Sequence, residues 1–158
     1  MSELSIMFVC LGNICRSPMA EAILKKKVED SSIVDNWRIE SCGTANYHVG
    51  EGADPRTINA LQNNGLTLNH RAQQLRNNHF IEFDYLIVMD DSNLADVESL
   101  THNGSCQIHK LRMFDPLNQN ADVPDPWFGG IEGFDECFNI LNRSCDELLN
   151  HLIKKHSS

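Results

Sequence analysis

The sequence predicts an α/β fold: a single domain, residues 1–158, with three αβα layers around a central four-stranded parallel sheet. Two observations support it. Short apolar runs alternate with segments of helical periodicity, which is typical of a parallel sheet covered by helices on both faces. The length of 158 residues, with 41% apolar residues, fits one domain that can bury a sizeable core without disulfides or metals.

The first unit is a strand, a tight loop and a helix. Residues 4–9 form a short apolar run rich in strand formers, and a glycine-containing loop follows it. Ser17 and Pro18 predict a helix start, with Ser17 as the N-cap and Pro18 at the first helical position. Apolar residues then recur at helical spacing: Ala20, Ile23, Leu24 and Val28.

A second helix is predicted between a strand over residues 37–41 and a strand over residues 84–89. The helix begins at Asp54, whose side chain can cap it, and a proline follows that residue. It ends at Gly65, the residue type that favours a helix C-terminus. The strand over 84–89 is the clearest buried strand of the chain.

The C-terminal half adds two helices and a weaker strand, over residues 107–113. Asp90 or Asp91 caps the first of these helices. That helix carries Leu94, Val97 and Leu100. The last helix is the most periodic element, with an apolar stripe formed by Phe134, Cys137, Phe138, Leu141, Cys145, Leu148, Leu149 and Leu152.

Charge and targeting signals restrict the possible partners. Thirteen Lys and Arg residues against 22 Asp and Glu residues give a formal net charge of −9 at pH 7. Such a chain is a poor general ligand for nucleic acid or anionic membranes, because both attract positive charge. Neither a signal peptide nor an apolar stretch of roughly 20 residues is present, so we expect a cytoplasmic protein without membrane insertion.

The loop after the first strand has the composition of a phosphate-binding loop. Residues 10–18 read Cys-Leu-Gly-Asn-Ile-Cys-Arg-Ser-Pro. Gly12 permits close backbone approach to an anion, and Asn13 tolerates the left-handed conformation that such loops often need. The helix N-terminus adds unpaired N–H groups, and Arg16 can hold two phosphate oxygens with its planar guanidinium.

The same surroundings favour a thiolate at Cys10, because a helix N-terminus and a nearby arginine stabilise the charged sulfur. Ser17 could donate a hydrogen bond to that sulfur. The alternative is that Cys10 and Cys15 are small buried hydrophobes and that Ser17 only caps a helix. The placement of the motif between a strand and a helix favours the functional interpretation.

This stretch closely resembles the active-site loop of the low-molecular-weight protein tyrosine phosphatases, Cys-x-Gly-Asn-x-Cys-Arg-Ser. Residues 88–94 and the pair Asp125-Pro126 resemble two further family segments. The resemblance implies a Rossmann-like, phosphotyrosine phosphatase I-like domain that hydrolyses phosphotyrosine and small aryl phosphates through a cysteinyl-phosphate. It implies no metal and no cofactor. The expected partners are phosphotyrosine-containing proteins, with inorganic phosphate, vanadate or other oxyanions as inhibitors.

The resemblance also assigns roles. Cys10 is the nucleophile, Arg16 holds the phosphate, and Asp125 acts as general acid and then as general base. The rest of the phosphate-binding loop is Leu11, Gly12, Asn13, Ile14, Cys15 and Ser17. From the residues alone Asp125 suits a turn, since Asp-Pro and Gly-Gly favour turns; the resemblance reverses that preference.

Three aromatic residues are expected to form the substrate walls: Tyr47, Trp127 and Phe128. Trp127 and Phe128 occupy positions where many animal relatives have two tyrosines, which are phosphorylated in some of them. Neither side chain here has a hydroxyl group, so that regulation is not expected. Ser41 and His70 match positions that hydrogen-bond the loop Asn13. Gln73 stands where several relatives carry an arginine.

The remaining cysteines divide into three groups. The resemblance makes Cys15 a redox partner that captures oxidised Cys10. Cys137 and Cys145 lie on the apolar stripe and are expected in the core. Cys42 and Cys106 have no assigned role.

Three alternatives compete with this function. Arsenate reduction on the same scaffold needs further cysteines after the third strand, and residues 92–101 contain none. Phosphoarginine hydrolysis is the reaction of bacterial relatives, which favour Thr where this chain has Ile14. The apolar side chain of Ile14 suits a phenyl ring and so favours phosphotyrosine. A non-catalytic phosphate-binding module would be favoured by loss of Cys10, Arg16 or Asp125, and all three are present.

Overall fold

Four parallel strands form the central sheet of the computed structural model, which describes residues 3–32, 36–100 and 104–156. The strands are β1 (Ser5–Cys10), β2 (Arg38–Gly43), β3 (Tyr85–Val88) and β4 (Gln107–Lys110), in the spatial order β2-β1-β3-β4. The predicted α/β fold with a four-stranded parallel sheet is thus confirmed. The ends of the expected domain, residues 1 and 158, lie outside the described residues.

Within the described part of the chain, five α-helices cover the two faces of the sheet: α1 (Arg16–Asp30), α2 (Pro55–Asn63), α3 (His79–Glu82), α4 (Asp91–Glu98) and α5 (Ile131–His156). Helices α1, α2 and α5 pack together on one face, over Ile6, Phe8 and Cys10. Helices α3 and α4 lie on the other face, over Met7 and Val9. Because successive side chains of a strand alternate between faces, β1 contributes to both halves of the core.

The long helix α5 buries its predicted stripe completely, since all eight apolar residues named above are in the core. It packs mainly against α1. Cys137 and Cys145 are 2% and 0% exposed, which confirms that both are core residues. None of the described helices is long and apolar enough to cross a membrane.

The start of α1 differs from the prediction. The helix begins at Arg16, its N-cap position is Cys15, and no side chain caps it. Ser17 is therefore not the N-cap, because its hydroxyl turns instead toward the Cys10 sulfur and the Cys42 carbonyl. The caps at Asp54 and Asp90 are confirmed, since each side chain accepts a hydrogen bond from a backbone N–H in its own first turn.

Two further boundaries were wrong. The predicted strand over 107–113 ends at Lys110 and gives way to a 3₁₀ turn, Leu111–Phe114. Leu111 turns into the core there, and Arg112 contacts Asp115 three residues ahead, a spacing that suits a turn. Helix α4 ends at Glu98, so Leu100 lies beyond it and is 36% exposed.

Candidate active site

The loop over residues 11–15 joins the end of β1 to the start of α1 at the carboxyl edge of the sheet. Asn13 adopts φ 59°, the left-handed conformation expected for it. The end of β2 lies directly beneath the loop, where a Cβ on Gly43 would be 2.6 Å from the Leu11 carbonyl oxygen. Only glycine permits this approach, and no local sequence pattern predicts it, because the two segments are distant in the chain.

The Cys10 sulfur lies at the bottom of the loop and is accompanied by the Ser17 hydroxyl, with 2.9 Å between Sγ and Oγ. Ser17 Oγ also lies 3.3 Å from the Cys42 carbonyl oxygen, so its single proton has two possible acceptors. A thiolate at Cys10 can only accept a hydrogen bond. It would attract the Ser17 proton more strongly than the Cys42 carbonyl does, because it is charged and lies closer. The hydroxyl is therefore placed to stabilise a charged sulfur.

Asn13 holds the loop in shape through four contacts. Its Nδ2 donates to Ser17 Oγ at 2.8 Å and to Ser41 Oγ at 3.0 Å. Its Oδ1 accepts from the Gln73 backbone N–H at 2.9 Å, and its main-chain oxygen lies 2.6 Å from His70 Nε2. The side chain is fully buried, so each of these bonds replaces a bond to water. Ser41 and His70 thus contact Asn13, as the family resemblance predicts.

Glu21 extends this network and was missed by the sequence analysis. Its Oε1 accepts a hydrogen bond from Ser41 Oγ at 2.6 Å, and its other oxygen pairs with Lys25. Glu21 is 6% exposed although it is a carboxylate. Its spacing of four residues from Ser17 could have revealed it, because residues at i and i+4 share a helix face.

The guanidinium of Arg16 is almost fully buried and is fixed on one side. Its Nη1 donates to Asp90 Oδ2 at 2.6 Å and to the Val123 carbonyl oxygen at 3.0 Å. Burial lowers the pKa of Arg16, but the Cys10 sulfur and Asp90 outweigh this effect, so the pKa is raised above its ordinary value. Arg16 therefore remains a cation, and its orientation is set by Asp90 and the Val123 carbonyl group.

Asp90 was predicted only as a helix cap. It does cap α4, since its Oδ1 accepts from the Asn93 N–H at 2.7 Å, but its other oxygen holds Arg16. A signal for this second role was present: Asp90 follows a buried strand, and the carboxyl ends of parallel strands form the ligand crevice.

Asp125 faces Arg16 across the site. Its Oδ2 lies 3.6 Å from Arg16 Nη2, and its side chain is 35% exposed. Its Oδ1 accepts from the Trp127 backbone N–H at 3.1 Å and caps the 3₁₀ turn Pro126–Phe128. The turn and the approach to the site are compatible, because one carboxylate oxygen serves each.

A cavity of about 280 Å³ opens above the loop and contains most of the predicted site residues. They are Cys10, Leu11, Gly12, Ile14, Cys15, Arg16, Tyr47, Asp125, Trp127 and Phe128. The aromatic residues stand at its mouth, with Tyr47 70% and Phe128 92% exposed. Four predicted site residues do not line the cavity: Asn13, Ser17, Ser41 and His70. Asn13 belongs to the loop, and the other three contact it there.

His48 also lines the cavity and was not predicted. Its ring centroid lies 5.7 Å from that of Trp127, and its Nδ1 lies 3.1 Å from Glu51 Oε2. Gly12 leaves room for the imidazole, since a Cβ there would be 3.1 Å from His48 Cδ2. A loop histidine beside Tyr47 carries no sequence signal that separates it from an ordinary surface residue.

All six cysteines are free thiols. Burial, supported by the charges of Asp54 and Cys10, raises the pKa of Cys15 to about 12. Cys42 is buried in β2 against the smaller half of the core, and Cys106 is half-buried. Within the described residues, no group of three or more His, Cys, Asp or Glu side chains could hold a metal ion.

The cavity therefore combines a cysteine sulfur, a buried cation and a carboxylate around one small space. A tetrahedral oxyanion seated in the loop would meet Arg16 and the N–H groups at the start of α1. The carboxylate of Asp125 would stand on the open side, where a leaving group departs. These are the components of covalent phosphoryl transfer.

Comparisons with known proteins agree with this chemistry. The family model described as "Low molecular weight phosphotyrosine protein phosphatase" matches residues 5–158. A relative with the same name from Saccharomyces cerevisiae is 41% identical over 145 residues, which cover 88% of this chain and 89% of the relative.

Solved structures share the fold. A protein tyrosine phosphatase from Entamoeba histolytica superposes with a TM-score of 0.90 at 32% identity, over 96% of this chain and 98% of that one. A Drosophila arginine phosphatase superposes with a TM-score of 0.87 at 35% identity, over 93% and 96% of the two chains. The same architecture thus carries proteins named for two different phosphorylated residues.

Proposed function

The chain belongs to the low molecular weight phosphotyrosine protein phosphatase family, and from that premise we propose that it hydrolyses phosphotyrosine and small aryl phosphates through a cysteinyl-phosphate. One observation carries the mechanism: the Cys10 sulfur, the Arg16 guanidinium and the Asp125 carboxyl group line a single cavity. We further propose that residues 1–158 act as one catalytic domain.

In the first step the Cys10 thiolate attacks phosphorus, and the bond from phosphorus to the ester oxygen breaks. Arg16 and the loop N–H groups bind the equatorial oxygens, where charge spreads in the transition state. Asp125 gives its proton to the departing oxygen, so the product leaves as a phenol. The 3.6 Å between Asp125 and Arg16 supports this arrangement, because a bound phosphate on Arg16 would lie beside the carboxyl group.

In the second step a water molecule attacks phosphorus from the side that the phenol has left. Asp125, now a carboxylate, accepts the proton of that water. The bond from phosphorus to sulfur breaks, inorganic phosphate forms, and Cys10 leaves as a thiolate. The hydroxyl of Ser17, 2.9 Å from the sulfur, supports this step as a donor to the leaving group.

Phosphoarginine is the second candidate substrate, because the Drosophila protein named as an arginine phosphatase shares the fold at 35% identity. Phosphotyrosine is favoured by the walls of the cavity. Ile14 is 7% exposed and lines the cavity together with Tyr47 and Trp127, which gives apolar contact to a flat phenyl ring.

Cys15 is proposed as a redox partner of Cys10. Peroxide would convert the Cys10 thiolate to a sulfenic acid, and the Cys15 thiol would displace water from it to form a disulfide. We also propose a cytoplasmic location, which the free state of all six cysteines supports.

Inorganic phosphate and vanadate should act as competitive inhibitors. Turnover should survive chelators, and a metal requirement would overturn the mechanism.

The test is steady-state hydrolysis of phosphotyrosine, phosphoserine and phosphoarginine peptides, with arsenate reduction assayed in parallel. We expect phosphotyrosine to be preferred and Cys10→Ser to lose activity by on the order of 10⁴-fold or more. Cys106→Ser is the matched control, because Cys106 lies outside the cavity. Appreciable hydrolysis by Cys10→Ser would overturn the nucleophile, and preference for phosphoarginine would overturn the substrate.

A further inference from the structure

Arg56, in the first turn of α2, reaches across to the segment that follows Asp125. Its Nη1 lies 3.1 Å from the Trp127 carbonyl oxygen and 3.3 Å from the Gly129 carbonyl oxygen. Trp127 belongs to the turn that Asp125 caps, and Gly129 follows that turn directly. Arg56 does not line the cavity, so it touches this segment without touching the place where substrate binds.

Asp54 fixes Arg56 from the other side. Its Oδ1 accepts from the Arg56 backbone N–H at 2.8 Å and from Nε at 3.0 Å, and its Oδ2 accepts from Nη2 at 3.0 Å. The hydrogen bond from Arg56 lowers the pKa of Asp54, which therefore stays charged. The Asp54 backbone N–H donates to the Ile14 carbonyl oxygen at 2.9 Å, so the pair of Asp54 and Arg56 is attached directly to the phosphate-binding loop.

Two aromatic rings complete the setting of the guanidinium. Its Cζ lies 4.5 Å from the ring centroid of Phe134, which is 1% exposed in the core. The same atom lies 5.4 Å from the ring centroid of Trp127. Arg56 thus lies against one buried ring while it contacts a ring of the segment that it anchors.

The segment that carries Asp125 has a second anchor upstream. The Val123 N–H donates to the Met89 carbonyl oxygen at 2.8 Å, and the Val123 carbonyl accepts from Arg16 at 3.0 Å. Asp125 therefore lies between one anchor at Val123 and another at Arg56. Removal of the downstream anchor frees the turn that aims its carboxyl group.

We propose that Arg56, held by Asp54, is a positioning residue for the general acid: it sets the distance between the Asp125 carboxyl group and the leaving oxygen. This inference rests on the proposed function. Misplacement of a catalytic group by about 1 Å can cost on the order of 100-fold in rate. The cost falls on substrates that need the proton, because a poor leaving group depends on the acid more than a good one does.

The experiment compares kcat/KM for phenyl phosphate with kcat/KM for 4-nitrophenyl phosphate, whose leaving group is much better. We expect Arg56→Met to lower the first value about 10- to 100-fold and the second less than about threefold. Inhibition by inorganic phosphate should change by less than about twofold, because Arg16 and the loop remain. Arg56→Lys keeps the charge, but a lysine cannot bind Asp54 and the Trp127 carbonyl group at once. It should therefore show the same selective loss of kcat/KM for phenyl phosphate.

Arg38→Met is the matched control, because Arg38 also pairs with a carboxylate and lies over an aromatic ring, but on β2 away from the cavity. A merely structural role of Arg56 predicts equal losses on both substrates, and that result would overturn the inference. If Arg56→Met fails to fold, Arg56→Lys gives the same comparison.

The double variant Asp125→Ala with Arg56→Met separates the inference from its premise. In the Asp125→Ala background, Arg56→Met should cause no further selective loss, because the acid is already absent. An undiminished loss there would overturn the inference. If Asp125→Ala itself affects both substrates equally, the proposed acid fails; if Asp125→Ala is selective and Arg56→Met is not, only the inference fails.

Discussion

The hydroxyl of Ser17 lies 2.9 Å from the Cys10 sulfur although its residue type and position suggested a helix cap. The N-cap position is Cys15, two residues before Ser17, and no side chain caps it. The first N–H groups of a helix have no partner within the helix, so those of α1 can serve a bound anion. Groups that would stabilise an ordinary helix are thus left free for an anion. We therefore expect this helix end to contribute to anion binding in place of the stability that a side-chain cap would add.

Ser17→Ala should slow breakdown of the cysteinyl-phosphate, because the departing thiolate loses a charge-assisted hydrogen bond of about 1.5–3 kcal/mol. We expect kcat for 4-nitrophenyl phosphate to fall about 10- to 100-fold, with a burst of nitrophenol in rapid-mixing experiments. Ser144→Ala is the control, since that hydroxyl is buried in α5 without a hydrogen-bond partner among the described residues. A fall in kcat/KM alone would contradict this role.

Asp125→Ala should lower kcat/KM for phenyl phosphate by about 10²- to 10⁴-fold and that for 4-nitrophenyl phosphate much less. The reason is that phenoxide is expelled with difficulty unless it is protonated. Asp122→Ala is the matched control, because Asp122 lies in the same segment but pairs with Lys110. Equal losses on the two substrates would remove Asp125 from the role of acid.

Asp90→Asn should lower kcat/KM about tenfold on both aryl phosphates alike, since it weakens the bond that orients Arg16 without touching the acid. Inhibition by inorganic phosphate should weaken in parallel. The equal effect on the two leaving groups distinguishes this variant from Asp125→Ala. Tighter phosphate binding would show instead that Asp90 opposes the anion more than it orients Arg16.

Cys15→Ser should abolish most of the recovery of activity by a thiol reductant after sustained treatment with peroxide, because a Cys10 sulfenic acid that no thiol captures is oxidised further to an irreversible sulfinic acid. Burial raises the pKa of the Cys15 thiol to about 12, so Cys15 is a poor target for peroxide. The proposed redox role therefore predicts that Cys10 is oxidised first and that Cys15 captures the product. Cys106→Ser should recover like the wild type. Full recovery of Cys15→Ser would exclude the proposed redox partner.

Acid stability should depend on Asp115, which is fully buried and accepts hydrogen bonds from Arg112 at 2.8 Å and Arg143 at 2.9 Å. Burial would raise the pKa of Asp115, but the bonds from Arg143, the Leu117 backbone and Arg112 lower it from 3.8 to about 2. A lowered pKa stabilises the fold above the unfolded value and loses that effect as pH falls through the folded value.

We therefore expect the difference in unfolding free energy between the wild type and Asp115→Asn to be largest near neutral pH. It should narrow by about 2 kcal/mol as the pH falls from about 5 to about 2. Urea unfolding at a series of pH values measures it. A difference that stays constant across this range would show that the carboxylate is not stabilised by its two arginines.

Local sequence rules predicted most of the fold. Periodicity located α5, and capping chemistry located the starts of α2 and α4, because each signal is contained within a few neighbouring residues. The errors fall where a distant contact decides. The Ser17 hydroxyl contacts the Cys10 sulfur instead of capping the helix. The last predicted strand ends early, before the 3₁₀ turn in which Arg112 donates to Asp115.

The same division holds in the active site. The loop motif revealed Cys10 and Arg16, since their spacing is local. Glu21, Asp90 and Arg56 were missed because each acts through a partner that the fold alone brings near. Arg56 and Trp127 are 71 residues apart, and no local pattern joins them.

The four contacts of Asn13 have a consequence for how the protein is made. Ser41, His70 and Gln73 lie 28, 57 and 60 residues further along the chain, and Asp125 follows much later. Contacts of such separation form late in folding, because a long segment of chain must first be closed. We therefore expect a nascent chain that carries Cys10 and Arg16 to lack activity until synthesis has passed residue 125, and refolding protein to regain helical circular dichroism before turnover.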